Sequence, residues 1–403
     1  MRIKFDFELM QLLDHWLGIF ICFLIGLWET LVKFFSFKKK PLSIKDPRGI
    51  LVLKWFGLGS IVQMRGLVNS LHKRYPRARV IFATFPSNKD LANTLFSIDE
   101  LIIVRNKNPL LFLIDTLKLL FILPFKKIDI AIDLEFYSKY STIVSYLSGA
   151  AVRVGFYLPS FWRKQILTHP IYYNYFKHIT DIYKMVGKAI DVPVEEIEDN
   201  KIYASQENTE RVKGKLKKLG WNGRHRLIGV NVHAGELAYC RRWPKEYFIE
   251  LINGLSNLEG FIIVLIGSSN EKEYTNSVFE SLNEDTRKRV LNTAGIFNLP
   301  EFIAFLNLLF FLITNDSGPL HLAVMQGVHT ISIWGPQTPS LYGAKDKMRH
   351  KEFYADLDCS PCMNIYRTKG GYFCNNDAPC LKGISPEEIL GYAVKLMQDK
   401  TYQ

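Results

Sequence analysis

Acidic residues are in short supply: 39 Asp and Glu stand against 51 Lys and Arg over 403 residues, a formal charge of +12. That balance favours an anionic partner, whether nucleic acid, a membrane surface or a phosphorylated substrate. Nucleic acid is set aside, because the basic residues are dispersed and no recognition module is present. The N-terminal region lacks an apolar run long enough to cross a bilayer. Residues 16–28 are unbroken by charge, but thirteen helical residues reach only about 20 Å against roughly 30 Å of hydrocarbon. A full crossing would bury Glu29 and Lys33 as well, at roughly 3 kcal/mol each. A small-residue cleavage site is also missing, and Arg2 and Lys4 are offset by Asp6 and Glu8, which argues against a secretory signal. Cysteine is sparse too, with six in all.

What the N-terminus does hold is an apolar segment bordered by Trp16 and Trp28 and followed by Lys38, Lys39 and Lys40. Tryptophan at headgroup depth and lysine on anionic lipid fit an interfacial or re-entrant helix, the alternative being a helix buried in the protein. Residues 1–40 are therefore read as a membrane-associated helix with a basic flank, placing the protein on a cytoplasmic leaflet as a peripheral or monotopic protein.

With 48% hydrophobic residues the rest of the chain is globular, and its length points to two domains. Beyond a polar linker at 41–48, short apolar runs alternate with longer amphipathic ones. Strands are expected at 50–55, 79–84, 101–104 and 128–134, with helices at 61–75, 88–96, 109–123 and 140–147 between them. A second series follows the charged stretch 195–218, with strands at 227–233, 261–267, 290–294, 308–313 and 330–334. Alternation of this kind gives an α/β fold with parallel sheets covered on both faces. Two Rossmann-like domains follow, 41–205 and 206–403. In such domains ligands gather at the carboxyl ends of the strands.

Three motifs occupy those ends. Gly57-Leu58-Gly59-Ser60 follows the first strand, a two-glycine turn that lets backbone approach a substrate but lacks the full G-x-G-x-x-G. His233-Ala234-Gly235 closes the strand that opens the second domain, and Arg241-Arg242-Trp243-Pro244 comes shortly after. An arginine fork beside free backbone donors suits a diphosphate, although a solvated pair of arginines would read the same way. Thr314-Asn315-Asp316-Ser317-Gly318-Pro319-Leu320-His321-Leu322-Ala323 is the third. It reads as a turn that aims a helix N-terminus, with its free N–H groups and positive dipole end, at a phosphate or carboxylate.

In order and spacing these stretches resemble glycosyltransferase family 9, the ADP-heptose:lipopolysaccharide heptosyltransferases, over nearly everything after residue 48. The resemblance implies a GT-B fold, with the acceptor on the first domain, the nucleotide sugar on the second and a central cleft between. It implies an inverting transfer, needing no metal, of heptose or a related sugar from an ADP-heptose-like donor to a lipid-linked saccharide. Asp316 would contact the donor sugar. Ser317, Gly318, Pro319 and His321 would surround the diphosphate, opposite Ala234, Gly235 and one of Arg241 or Arg242. Gly57 and Gly59 would lie on the acceptor side. Family members commonly carry Asp, as general base, where this chain has Ser60, and a neutral hydroxyl is no base at pH 7. Asp133 and Glu135 are the substitutes to test, each of which also reads as an ordinary strand-end carboxylate. A catalytically silent sugar-nucleotide binder and a sugar-nucleotide epimerase are the rival readings.

Cys359, Cys362, Cys374 and Cys380 fall within 22 residues, 359–380. Their C-x2-C start makes a structural zinc one expectation and free thiols the other, since a reducing cytoplasm disfavours disulfides. Asp356-Leu357-Asp358 spells the D-x-D of metal-dependent transferases but sits beside these cysteines. Oligomeric state is not legible.

Overall fold

The computed structural model describes residues 7–35, 44–159, 162–196, 200–235, 239–363, 374–375 and 377–398. Lys38, Lys39 and Lys40 lie outside the described residues. The chain divides into two compact units, Met1–Ile197 and Glu198–Gln403.

In the first unit β1 (Gly49–Leu53), β2 (Arg79–Thr84), β3 (Glu100–Ile103), β4 (Ile130–Asp133), β5 (Val152–Tyr157) and β6 (His169–Tyr172) form one sheet in the order β3-β2-β1-β4-β5-β6. Each neighbouring pair is parallel. In the second, β7 (Arg226–Asn231), β8 (Phe261–Ile266), β9 (Val290–Asn292), β10 (Leu309–Asn315), β11 (His329–Trp334) and β12 (His350–Tyr354) repeat the design in the order β12-β11-β10-β7-β8-β9. β1 and β4 are buried along their whole length, which is why they read as unbroken Ile, Leu, Val and Ala rather than as alternation. Strand order reverses between β1 and β4, and again between β7 and β10, so each unit opens a crevice at those carboxyl ends.

Three strands were not foreseen. β5, β6 and β12 lie toward sheet margins and carry Arg153, Pro170, Lys351 and Glu352, which break the apolar runs. The helix expected over 61–75 is two, Leu58–Gln63 and Arg65–Arg74, meeting at Met64. It also begins earlier, so Gly59 and Ser60 are helical and only Gly57, at φ +89°, is a left-handed turn residue.

The N-terminal segment is a single 29-residue helix, Phe7–Phe35. One row of it, Asp14, Gly18, Cys22 and Gly26, is docked on the first unit. Asp14 accepts the backbone N–H groups of Lys139 (3.0 Å) and Tyr140 (2.7 Å), so it serves the amino end of helix Lys139–Leu147. Glu29 pairs with Arg153 at 3.5 Å. A Cβ on Gly18 would sit 2.8 Å from Lys139 Cβ, which shows how closely the backbones approach.

Candidate functional site

The reversal between β7 and β10 is built from two asparagines. Asn315, ending β10, accepts the N–H of Trp243 at 2.9 Å and donates to the carbonyl of His233 at 3.2 Å. Asn231, ending β7, donates to Thr314 Oγ1 and Ser317 Oγ, both at 3.0 Å. Trp243, fully buried, anchors the loop further through its indole N–H on the Ile384 carbonyl. The loop after β7 is thus tied to the turn after β10, and Arg241 is held above that turn.

Helix Gly318–Gln326 starts there, with Pro319 in its first turn and Ser317, extended at φ −160°, as its cap residue. Ser317 Oγ is engaged by Asn231 and the Asn315 carbonyl, and it does not cap the helix. The amino end therefore keeps uncapped donors and the positive end of its dipole. Asp316 stands beside it at 6% exposure, with Arg241 Nη1 3.5 Å and His321 Nε2 3.9 Å from its two oxygens. Arg241 Nη2 donates to the Ala234 carbonyl at 2.8 Å, whereas its Nε is buried without a partner. Gly235 makes this turn at φ +78°, a conformation that disfavours any side chain. Asp316, Ser317, Gly318, Pro319, His321, Ala234, Gly235 and Arg241 thus all come together in the second unit.

Arg242 faces elsewhere. Its Nη2 lies 2.6 Å from His233 Nε2, and its guanidinium stacks on Tyr274 at 4.0 Å. His233 Nδ1 lies 2.6 Å from Glu271 Oε1 and 2.9 Å from the Gly235 nitrogen. The ring thus links its two charged neighbours, Nδ1 turned to Glu271 and Nε2 to Arg242, with the donor and acceptor roles of its nitrogens set by the tautomer. Burial raises the Glu271 carboxyl, but hydrogen bonds from His233 and Ser268 outweigh it and hold the group at about 2. Glu271 and Tyr274 were missed from sequence. The pattern Ser268-x-x-Glu271, realised as a capping box, was the available signal.

A depressed carboxyl contributes stability that is complete above its unfolded value and lost as pH falls through its folded one. The second unit should therefore weaken between pH 4.5 and about 2, by on the order of 2–3 kcal/mol. Urea midpoints followed across that window check this, and Glu271→Gln should flatten the dependence.

In the first unit Gly57 turns the chain into helix Leu58–Gln63, where Ser60 Oγ donates to the Gly57 carbonyl at 2.8 Å. Asp133 and Glu135 are both fully buried. Glu135 Oε1 accepts the N–H groups of Trp55 (2.7 Å) and Phe56 (3.0 Å) and lies 3.2 Å from Lys54 Nζ, pinning the end of β1. Asp133 is bound by Arg163 at 2.5 Å and Thr142 at 2.8 Å. Burial pushes the Asp133 carboxyl up while Arg163 pulls it down. In either protonation state it is enclosed and partnered, and the partners of both carboxylates favour a structural role over the expected base role.

The zinc expectation finds no support. Among the described residues no three or more His, Cys, Asp and Glu side chains converge as a metal set, and Asp356 and Asp358 form none. Cys359, Cys362, Cys374 and Cys380 are free thiols. Cys380 is buried in the apolar core beside Leu381 and Ile384, where burial raises its thiol. Cys240, packed on Met363, is pushed by burial up to about 11.

Comparison with known proteins agrees with this geometry. Lipooligosaccharide heptosyltransferase 2 of Campylobacter jejuni is 29% identical over 180 residues, 44% of this chain and 53% of that protein. The chain spans about half the length of these curated relatives that it matches. A family 9 glycosyltransferase structure from Veillonella parvula superposes with a TM-score of 0.74 at 22% identity, covering 88% of this chain and 99% of that one. An E. coli heptosyltransferase with ADP gives 0.61 at 14%, covering 86% and 99%. At these identities the structures establish the fold, which is GT-B. The family model for glycosyltransferase family 9 (heptosyltransferase) matches residues 119–372, more than half of the sequence, and the chain belongs to that family.

Proposed function

We propose that the protein is an inverting glycosyltransferase that moves heptose or a related sugar from an ADP-linked donor to a lipid-linked saccharide such as lipopolysaccharide core. The uncapped end of helix Gly318–Gln326, facing Arg241 and Asp316, is the observation that carries this reading. The relatives, a heptosyltransferase of Campylobacter jejuni and an E. coli heptosyltransferase with ADP, support the sugar and the nucleotide.

The chemistry follows from the charges. As the glycosidic bond breaks, a diphosphate gains negative charge, and donors already aimed at it lower the barrier more than they strengthen binding of the intact donor. Arg241 and the helix end supply positive charge that a divalent ion supplies elsewhere. Asp316, flanked by Arg241 and His321, is placed to hold the sugar. The acceptor hydroxyl attacks from the opposite side of the ring and gives its proton to a base, a role that the burial and existing partners of Asp133 and Glu135 weigh against for either of them.

Incubating the full chain with ADP-heptose and a lipid-linked core acceptor, in excess chelator, tests the reading. Acceptor mass should rise by one heptose as ADP is released. Donor binding without product would replace the reading with the silent binder that Ser60 suggests, and an isomerised donor would replace it with an epimerase.

A further inference from the structure

Helix Pro109–Ile122 has two apolar faces. Leu119 is buried and Phe112 packs on Tyr140 at 5.2 Å, but the row Leu110, Leu113, Leu117 and Phe121 points into solvent, Phe121 at 72% exposure. A helix apolar all round is not a water-facing helix. Helix Phe7–Phe35 shows the same imbalance. Asp14, Gly18, Cys22 and Gly26 face the protein, and two residues on, nearly opposite, Trp16, Phe20, Leu24 and Trp28 are exposed, Trp16 at 70% and Trp28 at 62%.

Both rows lie on one side of the first unit. The connections β3 to β4 and β4 to β5 run the same way along the sheet, so their right-handed crossovers put helices Pro109–Ile122 and Lys139–Leu147 on the same face. Thr116 and Tyr140 join those two helices at 3.1 Å, and helix Phe7–Phe35 packs on Lys139–Leu147 through Asp14. Met10 and Phe112, one from each apolar helix, rest on the same core cluster.

We propose that helices Phe7–Phe35 and Pro109–Ile122 together form a monotopic face that embeds in an anionic phospholipid bilayer, with the first helix lying in the membrane plane. Docking decides the orientation. Contacts from Asp14 to Glu29 bind about 22 Å of helix to the unit, so a crossing would carry Lys139 and Arg153, with their partners, into hydrocarbon. In the plane, Trp16 and Trp28, about 18 Å apart along the axis, sit at one depth. Charge selects the occupant. Exposed Lys107, Lys118 and Lys127 lie at the ends and along helix Pro109–Ile122, and its Asp115 is already paired with Arg105 at 2.7 Å. A second copy would set this basic rim against itself, whereas anionic headgroups complement it. The proposal is independent of which sugar, if any, is transferred.

Flotation of the full-length protein with phosphatidylglycerol and phosphatidylethanolamine vesicles tests it. Leu113→Glu with Phe121→Glu should cut the floating fraction at least roughly tenfold while leaving the thermal melt unchanged, since both side chains are exposed. Lipids brominated at one shallow depth should quench Trp16 and Trp28 alike, read by difference from Trp16→Phe and Trp28→Phe. Undiminished flotation of the double variant, or quenching of the two tryptophans at different depths, would overturn the proposal. So would a vesicle-free dimer that does not float.

Discussion

Replacing Arg241 with alanine is expected to lower sugar transfer by roughly two to three orders of magnitude, the usual loss when one preorganised donor to developing charge is removed. Arg241 and Arg242 are adjacent, and only their surroundings separate them. Arg242 is occupied by His233 and the Tyr274 ring. Arg241 touches Asp316 and the Ala234 carbonyl and keeps a buried, unpartnered Nε. A guanidinium with a donor to spare, beside an uncapped helix end, is the one set to receive a diphosphate. Arg241→Lys keeps the charge but not the planar fork, so it should recover only part of the rate. Arg242→Ala should instead lower the melting temperature of the second unit and leave donor turnover within a few-fold. Steady-state kcat/KM with ADP-heptose, beside thermal melts of all three variants, separates the roles. Equal losses of kcat/KM in Arg241→Ala and Arg242→Ala, without a change in melting, would refute the assignment.

The turn after β10 was legible because its parts are local. Strand β10, the turn and helix Gly318–Gln326 are contiguous, and Pro319 and Gly318 announce the helix start. The central strands were legible too, because burial on both faces leaves continuous apolar runs. Longer-range facts were not. Glu29 read as an obstacle to a bilayer crossing and Asp14 drew no reading, yet their partners at Lys139, Tyr140 and Arg153 lie more than a hundred residues away and use those charges to dock the N-terminal helix. The outward row on helix Pro109–Ile122 was hidden for the opposite reason: an unbroken apolar run does not say which face the core takes. β6 was masked by Pro170, tolerated because β6 closes its sheet as an edge strand.

Asp133 raises the same issue in its sharpest form, because a strand-end carboxylate near a glycine turn invites a catalytic role while its buried partners favour a structural one. Arg163, at 0% side-chain exposure like Asp133 itself, also donates to Thr142 Oγ1 (2.6 Å) and to the carbonyls of Glu135 (3.0 Å) and Phe136 (2.9 Å). One guanidinium thus fastens the turn after β4 to helix Lys139–Leu147. Asp133→Ala should cost the first unit about 3–5 kcal/mol, the usual consequence of stranding a buried charge. Arg163→Met should cost less, because a stranded carboxyl can take a proton whereas a guanidinium cannot lose one. The signs then diverge with pH. With Arg163 gone, burial is opposed only by the hydrogen bonds of Ser141, Thr142 and the Glu135 N–H and holds the folded pKa of Asp133 above the unfolded 3.8. Stability in Arg163→Met should therefore be best below pH 3.8 and fall as pH rises through the folded value. Combining Asp133→Val with Arg163→Met removes both charges and should recover much of the loss. Transfer by the folded fraction of Asp133→Asn decides between scaffold and base. A scaffold predicts lower denaturation midpoints with kcat within a few-fold, whereas a proton acceptor predicts kcat reduced by roughly a hundredfold or more at nearly unchanged stability.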